Sequence, residues 1–370
     1  MSLHEYIANV IANSPEQRIS FGEFMRLALY TPQLGYYCQD KLPIGKEGDF
    51  VTAPEISSLF SQCLARQIQA ILQQLPTKDI LEFGAGLGTL ACDLLLYLEK
   101  ENTLPTHYFI LELSAPLKQA QYQQLQQRCP HLLSRVVWLE ELPQALTGII
   151  LANEVLDAMP VDIIRLYDTH HEQAYVLYEE PHFKWHYQTI SNPLLQQQAK
   201  QIAATLNCDV LKKGYVTEVN SYIVPWLHSV SDSLKNGVAF IIDYGFLNTE
   251  YYHADRSQGT LMCHYQHQAH SNPLIHVGEQ DITAHVDFSA VMEAATKAGF
   301  TITGYTTQAH FLLSLGLLEQ ISHTTDTLEH YRLAQQIKYL TLPSEMGELF
   351  KVLALSKNYD LALQGFNRLY

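Results

Sequence analysis

The chain has 370 residues, 47% apolar and 16% charged, a globular rather than disordered composition, long enough for one large domain with insertions or two smaller ones. Its formal net charge is −15, from 23 basic and 38 acidic residues. With no cluster of Lys and Arg to meet phosphates, this balance argues against nucleic acid and suits a basic protein partner or an arginine-bearing substrate.

The six cysteines are dispersed, without a C-x-x-C pair, as expected of free thiols in a reducing compartment. The N-terminus lacks a basic, apolar leader and no window of about 18 apolar residues exists, so the expectation is a cytoplasmic protein without a membrane span. No oligomeric state is legible.

Residues 1 to about 75 read as mostly helical. Ser20 to Tyr30 is amphipathic, Thr31 to Gly35 is a turn, and a helix is predicted over 55–75 after Pro54. Strands at 80–83, 108–113, 135–138 and 148–152 then alternate with helices at 88–100 and 115–127. That alternation predicts right-handed βαβ crossovers and a parallel sheet. After Pro160 the period changes, and 162–188 reads as antiparallel hairpin strands inserted into the core. Helices at 193–206 and 221–234 precede a buried strand at 238–245. Residues 246–286 read as a long loop rich in His, Tyr and Gly. Helix 287–298, strand 300–306, helices over 308–340 and a last strand near 349–355 complete the chain. The domain reading is a helical region with a lid at 1–75 and a ligand-binding core at 76–160 and 214–245. An inserted segment follows at 161–213, and 246–370 completes the sheet and the substrate side.

The most informative stretch is Ile80-Leu81-Glu82-Phe83-Gly84-Ala85-Gly86-Leu87-Gly88-Thr89. An apolar strand ends in an acid, and alternate glycines present bare backbone ahead of a helix. A dinucleotide fingerprint would need glycine at position 89, where Thr89 stands. The next strand ends near Glu112, about 24 residues beyond Gly88, close to the ~20 expected of a ribose-binding acid in a βαβ unit. Glu112 can accept both hydroxyls of a ribose, with Leu113 beside it. Glu82 can meet a cationic end of the ligand. The plainer alternative is a turn that only permits close packing.

Acid-x-Gly-x-Gly-x-Gly resembles the cofactor turn of class I methyltransferases. Further segments resemble one family of them, the MidA-type enzymes: Gly35-Tyr36-Tyr37, Gly48 to Ser57, Glu112-Leu113-Ser114, Asn153 to Val161, Glu218, Asp243-Tyr244-Gly245, Gly259-Thr260-Leu261, Asp281 to Phe288 and Met346 to Phe350. The resemblance implies a Rossmann-like doubly wound α/β sheet with a helical N-terminal extension and inserted substrate-side segments. It also implies S-adenosylmethionine as cofactor and protein arginine as substrate class; the family's mitochondrial member assembles respiratory complex I.

An arginine nucleophile is cationic and delocalised, so it calls for carboxylates gripping two of its nitrogens. Asn153, Glu154 and Asp157 follow the strand at 148–152, at the sheet edge where open α/β folds bind ligands. A helical turn there would place Glu154 and Asp157 on one face; helix capping is the alternative role for Asp157 and Asn153. Asn153 could hold a substrate nitrogen or the methionine end of the cofactor. Glu218 is a candidate second carboxylate, or simply a strand end. Asp49, Phe50, Thr52 and Glu55 form a candidate lid over the cofactor, or Thr52 caps a helix. His264, His267 and His270 recur at three-residue intervals, but no Cys or carboxylate spacing completes a metal set. His267 reads instead as a substrate-channel or hydrogen-bonding group. A cofactor-binding assembly protein with little turnover is the competing function, and a nicotinamide dehydrogenase is disfavoured by Thr89 and by the acid at 82.

Overall fold

The computed structural model describes residues 1–39, 52–319 and 326–367. Its frame is a sheet of seven main strands: β1 (Asp79–Phe83), β2 (His107–Leu111), β3 (Val136–Leu139), β4 (Leu146–Asn153), β5 (Leu234–Phe246), β6 (Thr301–Thr307) and β7 (Phe350–Lys357). They lie in the order β3-β2-β1-β4-β5-β7-β6, with Val286–Asp287 adding a short strand beside β5. Strands β1 to β5 run parallel, whereas β7 is antiparallel to both β5 and β6. The chain winds outward from β1 to β3 and then returns to β4, so β1 and β4 flank the switch point where doubly wound sheets bind ligands.

The helices fall into place by their apolar spacing. The N-terminal pair is α1 (Leu3–Asn13) and α2 (Phe21–Tyr30). Ser2 and Glu5 close a capping box on α1, whose Leu3, Ile7 and Ile11 are buried at i, i+4 spacing. Next come α3 (Ala53–Ile56) and α4 (Ser58–Leu72), then α5 (Thr89–Lys100) and α6 (Ala115–Arg128) between the first strands. On one side of the sheet, α4 and α5 pack Phe60, Leu64, Ile68, Leu94 and Leu98 against Ile80, Ile149 and Phe240. The other side is covered by α7 (Ile223–Ser233) and α8 (Phe288–Lys297), which bring Leu227, Val230, Phe288 and Val291 to Leu81, Ile150 and Ile241. The C-terminal helices are α9 (Gln308–Ser314) and α10 (Thr327–Thr341).

A second, antiparallel sheet stands beside the first. It joins Arg18–Ser20, His171–Glu179, Asp162–Leu166 and Tyr215–Val219, with His182–Thr189 paired to His171–Glu179. Its inner face packs on α1 and α2 through Ile163, Val176, Phe183, Phe21 and Phe24.

Several expectations need correction. The strand at 215–219 lies in this second sheet, antiparallel to Asp162–Leu166, and not in the core that the sequence reading extends from residue 214. The hairpin strands at 162–189 form that sheet rather than entering the core sheet. The helix predicted over 55–75 breaks at Ser57, which is extended (φ −158°) and caps α4 by accepting from the Leu59 amide. The long loop at 246–286 contains a three-stranded antiparallel sheet, Met262–Tyr265, Gln268–His270 and Asp281–Thr283. Those strands have only three or four residues, too few for alternation to show.

Gly148 marks the tightest point of the core sheet. It has φ +153°, and a Cβ there would lie 1.8 Å from the Asp79 carbonyl oxygen on β1. Gly148→Ala must therefore push β1 and β4 apart, at a cost of about 3 kcal/mol. Urea unfolding of the variant checks this, and an unchanged midpoint contradicts the tight fit.

Candidate cofactor and substrate site

A cavity of about 200 Å³ opens at the C-terminal ends of β1 and β4. Its floor is the turn between β1 and α5. Gly84 (φ +56°), Gly86 (+53°) and Gly88 (+85°) all adopt left-handed backbone, which L side chains reach only at a cost. The three reverse the chain within a few residues and leave main chain facing the cavity, with Glu82, Gly84, Ala85, Gly86, Leu87 and Thr89 in its wall. Gly88 itself does not line it: this residue is the N-cap of α5, and a Cβ there would press on Gln121 of α6 at 3.2 Å.

Gln121 is the residue that sequence reasoning missed on this side. Wholly buried, its Nε2 donates to the Gly86 carbonyl and to Glu112 Oε2, both at 3.0 Å, while its Oε1 accepts from the Trp138 indole at 2.9 Å. One amide thus ties the glycine turn to the acid after β2. Nothing in its Gln-rich helix distinguishes it from solvated neighbours. Glu112 also accepts from the Ser114 amide at 2.9 Å. It lines the cavity and its carboxyl is pushed up chiefly by burial, against these donors. Leu113 stands exposed at the rim. Glu82 accepts from the Tyr108 hydroxyl at 2.7 Å, and burial pushes it up to about 7.

The opposite wall comes from the end of β4. Glu154 has left-handed backbone (φ +53°), and its amide donates to Ile242 O of β5 at 2.8 Å. The helical turn expected over 154–157 is therefore absent, and Glu154 and Asp157 do not share a helix face. Asn153 and Glu154 line the cavity; Asp157 does not. Asn153 donates to Glu154 Oε1 at 3.2 Å, while its own Oδ1 is buried without a partner. Glu154 is pushed up to about 8, first by burial and then by Asp157. Asp157 accepts from Tyr244 Oη at 2.6 Å, leaves Oδ1 unpartnered, and is raised by burial to about 6. It caps no helix. Behind both, buried Asp243 accepts from the Leu156 and Asp157 amides, and burial followed by the charges of Asp157 and Glu154 holds its carboxyl well above the usual range.

Glu218 is not the second carboxylate. It is buried in the appended sheet, outside the cavity wall, and its oxygens accept from Thr260 N and Oγ1, Leu261 N and Tyr251 Oη. With that many donors it is a fastener for the 259–261 turn. His267 is exposed in the turn between Gln268–His270 and its partner strand, also outside the wall. His270 and His276 approach edge to face at 6.2 Å, and among the described residues no three His, Cys, Asp or Glu gather as a metal site. Thr52 and Glu55 line the cavity, though Thr52 makes no side-chain cap; Asp49 and Phe50 lie outside the described residues.

Two more wall residues, Tyr30 and Tyr37, come from the N-terminal region. Their rings stack at 5.5 Å, and their hydroxyls donate to Ala158 O at 2.9 Å and Asp281 Oδ1 at 2.8 Å.

No Lys, Arg or His is among the described residues of this wall, while Glu55, Glu82, Glu112 and Glu154 are. The cavity is thus prepared for a cationic ligand carrying a diol. S-adenosylmethionine fits that donor set: Glu112 for the ribose hydroxyls, glycine-turn backbone and Glu82 for the amino-acid end, and the orphaned Asn153 Oδ1 for an ammonium.

Comparison with known proteins agrees. A family described as S-adenosyl-L-methionine-dependent methyltransferases matches residues 63–306. A Burkholderia thailandensis protein solved with S-adenosyl-homocysteine superposes with a TM-score of 0.92 at 38% identity, covering 99% of this chain and 94% of that one. The protein arginine methyltransferase NDUFAF7 homolog of Drosophila melanogaster, named as mitochondrial, is 27% identical, covering 94% of this chain and 83% of its own length. The rat protein arginine methyltransferase NDUFAF7 is 26% identical, with 91% and 80% covered.

Two outcomes follow from the site. Glu112→Ala removes charge-assisted acceptors worth about 1.5–3 kcal/mol, so titration calorimetry should find S-adenosylhomocysteine bound roughly 10- to 100-fold more weakly; unchanged affinity refutes the ribose assignment. The second outcome concerns pH. Because Glu154 is raised from 4.5 to about 8, its contribution to stability is full below the unfolded value and is lost as pH rises through 8. The ligand-free protein should accordingly melt lower at pH 8.5 than at pH 5, and Glu154→Gln should flatten part of that fall.

Proposed function

The chain belongs to a family of S-adenosyl-L-methionine-dependent methyltransferases, and from that premise we propose that it methylates the guanidinium of an arginine on a protein substrate. The observation that carries the reading is Glu154, a cavity-wall carboxyl with Asp157 and Asp243 behind it and no cationic side chain among the described wall residues. Three buried acids without a counter-cation are costly unless something supplies the charge. An arginine side chain supplies it. The names of the curated relatives support the same substrate class.

When bound, the cofactor supplies an already activated methyl group, so the protein's task is alignment, proton management and exclusion of water. Glu154 accepts from two guanidinium nitrogens, which pins the positive charge on them and leaves the third more nucleophilic. A guanidinium beside Glu154 ionises it. The carboxylate is then positioned to take the proton released as the new N–C bond forms, with the Asp157 charge holding its basicity up. Asn153 orients Glu154 through its 3.2 Å contact. Tyr30 and Tyr37 form an aromatic wall that limits water beside the reacting groups.

The test is transfer of labelled methyl from S-adenosylmethionine to protein in a host extract, followed by amino-acid analysis. Methylarginine is the expected product, and Glu154→Gln should lose the activity at least 100-fold, about 2.7 kcal/mol, while keeping its affinity for S-adenosylhomocysteine. Label on another residue type overturns the arginine assignment. Tight cofactor binding with no transfer to any protein favours instead an assembly protein that keeps the fold without turnover.

A further inference from the structure

Helix α10 carries an exposed apolar stripe that the cofactor and substrate site does not use. Leu328, Tyr331, Tyr339 and Leu342 are 59%, 62%, 44% and 42% exposed. At 100° per residue, these four and Gln335 fall within about 80° of arc on one face. The opposite face holds Ile337 and Leu340, which anchor the helix in the main core. The four side chains leave roughly 400 Å² of largely apolar surface open, the size at which a contiguous patch marks an interaction site rather than scatter.

The order of the stripe identifies its occupant. Counted from Gln335, leucine stands seven residues before and seven after, and tyrosine four before and four after. The pattern reads the same in both directions. Two copies laid antiparallel about a two-fold axis through Gln335 would therefore set Leu328 of one against Leu342 of the other, Tyr331 against Tyr339, and Gln335 against itself. An isologous contact requires this self-complementarity, whereas an unrelated partner would not impose it.

Charge agrees with that occupant. Each copy carries −15, so most faces repel a second copy, but the stripe itself holds no carboxylate and is bordered by Arg332 and Lys338. Those two cations meet an acidic partner surface. With their aliphatic stems and Gln335 included, the pairing buries roughly 600–800 Å² per copy, near the lower bound of a specific interface. We propose that this chain forms a two-fold homodimer through antiparallel packing of α10, centred on Gln335.

Sedimentation of the full chain at about 50 µM, within the range such an interface can hold, should give twice the monomer mass. Tyr331→Glu with Tyr339→Glu should halve it, with affinity for S-adenosylhomocysteine unchanged. A second measurement does not depend on how that double variant folds. In a Cys208→Ser background, Gln335→Cys treated with diamide should form a disulfide-linked dimer at least tenfold faster than Glu329→Cys, which points about 120° away on the helix. A monomeric wild type, a dimer that survives the double substitution, or equal cross-linking at both positions overturns the proposal.

Discussion

The site depends on one buried carboxylate that touches no ligand. Asp243, at the end of β5, accepts the Leu156 and Asp157 amides, while the Glu154 amide bonds to Ile242 O. These bonds carry the chain leaving β4 sideways across the sheet edge and hold Glu154 in left-handed backbone. Without them the 153–159 segment would have no reason to forgo a helical turn, and Glu154 would not lie in the cavity wall. Burying Asp243 is costly, and the amide donors that offset the cost are the ones that shape the wall.

That arrangement also explains why acids accumulate here. Glu154, Asp157 and Asp243 raise one another, and no cation of the protein relieves them. A site optimised for stability would place an arginine beside them. Leaving the charge uncompensated makes the ligand-free protein less stable at high pH and reserves the compensating cation for the substrate, a common exchange of stability for binding.

The legible and illegible parts of the site differ in physical origin. The glycine turn and the acid after β2 can be read from sequence because backbone geometry demands particular residues at short range: left-handed positions demand glycine, and a βαβ unit fixes the interval to the next strand end. The parallel strands are equally plain, because strands covered on both faces are continuous apolar runs. Gln121, Tyr30 and Tyr37 enter the site only through packing between elements far apart in the chain, and no local pattern records that. Glu218 shows the converse error. Its segment resembles a family motif, but a motif does not say whether a carboxylate faces a ligand or a neighbouring turn, and here it is consumed by Thr260, Leu261 and Tyr251. The Glu154 and Asp157 pairing failed for a related reason: i, i+3 spacing puts two residues on one face only where the backbone is helical, and a strand-end residue can be drawn out of that conformation by tertiary hydrogen bonds.

The cavity is consequently a joint product of two sheets. The doubly wound sheet supplies Glu82, the glycine turn, Glu112 and Glu154, all at strand ends. The appended region supplies the aromatic wall, because packing of α2 on the second sheet sets Tyr30 against Ala158, immediately after Asp157. Tyr37 adds a tie to Asp281, in the small sheet whose following residue, Ala284, donates its amide to Asp157 O. The substrate side is thus bonded directly to the segment that carries the acids. A displacement of the second sheet would move Ala158 and Asp157 together, and with them the charge that keeps Glu154 basic. The large non-core share of this chain therefore has a chemical role: it holds the electrostatics of a strand end that the core sheet alone would leave open to water.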